Sequence, residues 1–144
     1  MLFETSRFGT VDIPENRIIS FPAGIPGFPE LHRFFIIEHR PGSPFRWLQS
    51  SDDKDIAFVI ADPSQLLDEY RVSAKLSELE IIEAKENDEF STVVMVTIHP
   101  NGSSFDVFAN LRAPVIVNHR NMQGIQHILL DDKYSMRHKV EKKP

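Results

Sequence analysis

Apolar and polar positions alternate along this chain in short runs, broken at close intervals by Pro, Gly, Asn and Asp. That pattern reads as strands and tight turns. The strongest run is "TVVMVTIH" at 92–99, with Val93 and Met95 on one face and Val94, Val96 and Ile98 on the other. A strand apolar on both faces belongs between two packed layers. Asn101-Gly102 follows it as a hairpin turn signal, and 105–109 returns antiparallel. Further strands are predicted at 2–5, 9–13, 17–21, 34–38, 45–49, 56–61, 115–118 and 126–130, with a small one at 70–72. Ile81 and Ile82 read as extended.

Helical signals are few. The segment 29–33 reads as a single turn. Asp62-Pro63 has the form of an N-cap followed by a first helical residue, opening a short helix through "DPSQLLDEY". "SAKLSEL" at 73–79 places Leu76 and Leu79 three apart, a helical spacing. The predicted fold is therefore mainly β, a small antiparallel barrel or sandwich with one or two short helices. Residues 1–130 are expected to form a single β-barrel-like domain, and 131–144 a polar, slightly basic tail, frayed or partly helical.

One stretch resists this pattern. "FPAGIPGF" at 21–28 is wholly uncharged, yet it contains two Pro and two Gly. Proline lacks a backbone N–H and glycine adopts backbone shapes closed to other residues, so the segment must be a stiff loop. Phe28 is expected to fold back as a core plug and Ile25 to stay partly exposed for a partner. Trp47 and Leu48 are adjacent, so in a strand one enters the core while the other borders a cleft or a second layer. Pro114 suggests an edge strand after it, open to a partner strand.

At 144 residues the chain can bury a core without staples. It has no Cys, which removes disulfides, thiolate catalysis and Cys-ligated zinc, and fits a reducing compartment. Neither a signal peptide nor a membrane-spanning run is present, so a cytoplasmic location is expected. The 16 basic and 21 acidic residues leave a net charge of −5, unevenly spread. Residues 38–90 carry 13 acidic against 6 basic side chains. Such a middle repels nucleic acid, whose recognition requires Lys and Arg against phosphate, and favours a cationic protein partner.

Chemistry-bearing motifs are missing. There is no phosphate loop, dinucleotide fingerprint, HExxH or GxSxG. Asp52, Asp53 and Asp55 lack the Gly and closing Glu of a calcium loop. His32, His39, His99, His119, His127 and His138 show no ligand spacing. "GIPG" lacks the setting and charge of an RNA-clamping GxxG loop. No metal, cofactor or catalytic residue is expected. Two alternatives stay open on these residues: an OB-like nucleic-acid-binding barrel, and a small hydrolase whose site is assembled from distant loops.

Laid end to end, several segments resemble the flagellar assembly factor FliW family: "RFG" (7–9), "ISFPAGIPGF" (19–28), "PFRWLQSSDDKDIAFVIADP" (44–63), Tyr70, "NLRAPVIVN" (110–118) and "GIQHIL…Y" (124–134). The resemblance implies a compact β-barrel-like protein without enzymatic activity. It implies binding to flagellin and, when flagellin has been exported, to CsrA, a small RNA-binding translational repressor, whose hold on flagellin mRNA is thereby relieved. It implies no direct nucleic-acid, membrane or small-molecule ligand. CsrA must carry cationic surface to hold RNA. The residues expected to meet partners are thus the acidic set Asp52, Asp53, Asp55, Glu83, Glu86, Asp88 and Glu89, together with Ile25, Phe28 and Trp47.

Overall fold

A computed structural model of the chain describes residues 1–38, 40–130 and 132–141. The fold is mainly β. The described residues form eleven strands: β1 (Leu2–Thr5), β2 (Gly9–Asp12), β3 (Ile19–Ser20), β4 (Arg33–Ile37), β5 (Phe45–Ser50), β6 (Ala57–Ala61), β7 (Phe90–Asn101), β8 (Ser104–Ala109), β9 (Val115–Asn118), β10 (Gln123–Gln126) and β11 (His138–Lys139). β1 and β2 make a separate hairpin. The other strands follow the order β11-β8-β7-β6-β5-β4-β3-β10-β9, and β9 also pairs with β7. That last pairing joins the sheet into a ring of seven strands, with only β3 and β10 parallel.

β7 makes this possible through its length. Val93 lies opposite Val115 of β9, Asn110 donates to the Met95 carbonyl, and Val96 lies opposite Ala109 of β8. So β9 and β8 succeed one another along one edge of β7, while Ile60 and Ala61 of β6 pair at Met95 and Val94. Its two apolar faces serve two cores, as the sequence pattern predicts. Val93 and Met95 pack with Ile19, Phe21, Phe34, Leu48 and Ile60 inside the ring. Val94 and Val96 pack outside it with Ala61, Ala109 and Leu111. The β7–β8 turn falls at Gly102-Ser103 with Gly102 at φ 64°, one residue later than Asn101-Gly102.

Several expectations are corrected. The helices are 3₁₀ turns at Glu15–Arg17, Pro63–Gln65 and Leu76–Ile82. Asp62 does cap the second, accepting from the Ser64 N–H at 2.9 Å. In the third, Leu79 and Ile82 are buried and Leu76 is exposed, so Ile81 and Ile82 are helical rather than extended. Residues 29–30 form a turn that leads through 31–32 into β4, and 70–72 form no strand. β9 is paired on both sides and is not an edge. The last barrel strand is Gln123–Gln126 rather than 126–130. The chain beyond it still tracks 112–114, through His127 N–H to Pro114 and Leu129 N–H to Arg112. Pro114 has no N–H to complete the ladder.

The segment read as a frayed or helical tail carries β11, which pairs with β8 at Ala109 and Phe108. Tyr134 and Val140 cover the outer core. The Tyr134 hydroxyl donates to the Glu69 carbonyl and accepts from the Arg71 N–H, while Tyr70 donates to Leu111 at 2.6 Å. Asp131 and 142–144 of that segment, and His39 of the 39–44 turn, lie outside the described residues.

Candidate functional site: the two ends of the barrel

Strand direction sorts the loops. β3 to β4 (21–32) and β5 to β6 (51–56) cross over at one end of the barrel. β4 to β5 (38–44), β6 to β7 (62–89) and β9 to β10 (119–122) cross over at the other. The acidic set is therefore divided. Asp52, Asp53 and Asp55 lie at the first end; Glu83, Glu86, Asp88 and Glu89 lie at the second.

At the first end, "FPAGIPGF" is two consecutive β-turns, each with Pro second. Gly24 N–H bonds to the Phe21 carbonyl, and Phe28 N–H to that of Ile25 at 2.7 Å. Gly27 holds φ 89°, the shape a type II turn needs at its third position, while Gly24, the fourth residue of the first turn, links the two turns at φ 68°. The pair of turns drives Ile25 into the barrel, where it is 1% exposed. Phe28 is only half-buried, edge-on to Phe58 at 5.6 Å. The expected split is thus reversed: Ile25 is the plug and Phe28 lies nearer the surface. The exposed part of the loop is Pro22, Ala23, Pro26, Gly27 and Pro29.

The neighbouring acidic loop is knitted to it. Asp52 accepts from the N–H groups of His32 and Arg33 and from the Arg33 guanidinium at 3.2 Å. Asp53 accepts from the Asp55 N–H, and Asp55 accepts from the Ser6 hydroxyl in the β1–β2 turn. Partial desolvation pushes the Asp52 carboxyl up, but these N–H donors and Arg33 outweigh it and hold the group below its ordinary value.

At the second end Asp88 is the organiser. It accepts from Arg120 at 2.9 Å, from Asn118 at 3.0 Å and from the Lys85 N–H. The Arg120 hydrogen bond leads in holding its carboxyl below the usual range. Glu83 sits at φ 55°, presents its carbonyl to Arg120 and accepts from Gln123 through its side chain. Glu86 and Glu89 are exposed. The Glu89 carbonyl accepts from the His119 N–H, and the His119 ring meets the Ser91 hydroxyl. Asn118 closes the "NLRAPVIVN" segment and Arg120 follows it, but their role is not legible in the sequence, because Asp88 lies some thirty positions away with no periodic signal between.

Both organising carboxylates make the same pH prediction. A depressed folded pKa means that the native state binds fewer protons than the unfolded state just below pH 4, so stability falls as pH drops through that window. Asp88→Asn is therefore expected to lower the urea midpoint at pH 7. At pH 2.5 the gap to the unsubstituted protein should close. A gap that persists unchanged in acid would show that the carboxylate charge is not what matters.

Trp47 lies away from both ends. Its neighbour Leu48 is in the barrel core, and Trp47 faces outward under the β1–β2 hairpin. The Phe8 ring stands edge-on at 5.8 Å and the Arg7 guanidinium lies 4.3 Å over the indole. Among the described residues no group of three His, Cys, Asp or Glu side chains is placed to hold a metal, and no helix is long and apolar enough to cross a membrane.

These features define a small barrel-like β protein whose ends are built from charged, hydrogen-bonded loops. The chain belongs to the FliW protein family, whose model matches residues 2–140. It is 38% identical to the flagellar assembly factor FliW of Caldanaerobacter subterraneus subsp. tengcongensis, over 97% of this chain and 93% of that protein. It is 36% identical to the flagellar assembly factor FliW of Leptospira interrogans, over 95% and 91%. A crystal structure of the flagellar assembly factor FliW superposes with a TM-score of 0.88 at 27% identity, over 99% of this chain and 98% of that one.

Proposed function

We propose that this chain is a cytoplasmic flagellar assembly factor that works by partner exchange. It holds flagellin while flagellin is plentiful. Once flagellin has been exported, the freed protein captures CsrA and relieves its repression of flagellin mRNA. The observation that carries this reading is membership of the FliW family over nearly the whole chain. The ordered acidic loop at the first end supports it. Asp52 spends its charge on Arg33 and so pins the loop, while Asp53 and Asp55, held by the Asp55 N–H and the Ser6 hydroxyl, carry no ion pair among the described residues and present the fixed negative charge. Fixed negative charge steers a cationic partner and repels RNA phosphate nearby.

Two measurements test this. The tagged protein should co-purify with flagellin from a motile host when export is blocked, and with CsrA when export runs. Its affinity for CsrA should fall at least severalfold between low and high salt, since exposed charge pairs are screened within roughly 10 Å at 0.1 M. Capture of neither protein removes the proposal, and a salt-independent affinity for CsrA removes its electrostatic part. A shift of RNA by the protein alone would favour the nucleic-acid-binding alternative.

A further inference from the structure

Arg46 is in an unusual position for an arginine. On β5 it shares its face with Leu48, and it lies opposite Ile60 of β6; both neighbours belong to the core inside the ring. Arg46 therefore points into the barrel, at the mouth of the second end, and is half-buried. It divides two cavities. The smaller, about 240 Å³, is lined by Arg17, Ile19, Ile36, Glu38, Arg46 and Met122. The larger, about 570 Å³, runs past Asp62, Ser64 and Thr92.

Among the described residues, the Arg46 guanidinium has neither a hydrogen-bonded side-chain partner nor a carboxylate within 4.0 Å. Glu38 and Asp62 line the same cavities without pairing to it. Asp62 is engaged with the Ser64 N–H and hydroxyl. A half-buried cation not paired with a carboxylate is unfavourable, and an apolar side chain would fill the mouth of a barrel better. A guanidinium offers five N–H donors in a planar fork that fits a carboxylate two bonds at a time. Arg17 adds a second positive charge at the rim, and Ile19, Ile36 and Met122 form an apolar floor. Such a site suits a carboxylate carried on a short aliphatic stem.

We infer that Arg46 is the anchor of a carboxylate-binding site in the barrel mouth, and that its occupant is an acidic side chain or chain terminus of flagellin. The inference rests on the partner-exchange reading above. Charge favours flagellin over the repressor: the smaller cavity holds Arg17 and Arg46 against the single carboxylate of Glu38, so its excess charge is positive, and a repressor whose surface must be cationic to hold RNA gains nothing there.

The test uses the full chain with Arg46→Met and Arg46→Gln, titrated calorimetrically with full-length flagellin and, separately, with CsrA. Both variants should bind flagellin about ten- to a hundredfold more weakly, the effect of losing a charge-assisted hydrogen-bond pair. Their affinity for CsrA should stay within about twofold, and their melting temperatures should match or exceed that of the unsubstituted protein. Unchanged affinity for flagellin overturns the inference, as does equal loss of both partners or a lowered melting temperature accompanying the loss. Failure of the unsubstituted protein to bind flagellin would remove the partner-exchange reading itself, and this inference with it.

Discussion

Ile25→Asp is expected to abolish folding. Ile25 sits within the barrel core beside Phe21, Leu31, Phe34 and Leu48, and is 1% exposed. Truncating a buried Ile costs about 2–5 kcal/mol. A carboxylate there adds the larger penalty of an unpaired buried charge, unless the group takes up a proton. Domains of this size are stable by about 5–15 kcal/mol, so the combined loss consumes most or all of the margin. The check is far-UV circular dichroism and a urea titration, with Ile25→Val as the control expected to cost about 0.5–1.5 kcal/mol. A folded Ile25→Asp protein that had lost only partner binding would restore Ile25 to the surface and refute the plug.

Composition and Pro/Gly spacing revealed that 21–28 is a stiff loop, but not which apolar side chain it turns inward. Inward and outward differ by the sense of two β-turns, and that is set by where Pro29 and Leu31 must return to join β4. The alternation of β7 was legible because period two is a local property. Pairings that close the ring were not, since β3 with β10 and β7 with β9 join residues with no shared pattern. Gly124 shows the limit plainly. It looks like an ordinary strand glycine, yet a Cβ there would stand 2.8 Å from the Phe21 ring. Likewise, seven acidic residues in one acidic middle look like one surface, and only strand direction separates them into two ends. Arg46 drew no attention because one arginine inside a β-run reads as a solvent-facing position.

Gly24→Ala is the second substitution expected to have a large effect, and its partner Gly27→Ala isolates the reason. Both glycines adopt positive φ, at 68° and 89°, so alanine at either position loses about 1–2 kcal/mol to the left-handed backbone. At Gly27 an added methyl meets nothing within 4 Å. At Gly24 it would lie 2.6 Å from the Pro29 carbonyl oxygen and 2.8 Å from two further Pro29 backbone atoms. Backbone cannot rotate aside as a side chain does, so the two turns must part and Ile25 must shift with them. Overpacking of this kind adds about 1–3 kcal/mol. Gly24→Ala should therefore lower the urea midpoint clearly further than Gly27→Ala. Equal losses would mean that the close approach of Gly24 to Pro29 relaxes freely, and the loop would then be a flexible cover. If the losses differ as expected, the oily stretch is written in turn residues because two stacked turns are what holds a core side chain in the barrel end while leaving a rigid proline-glycine surface outside.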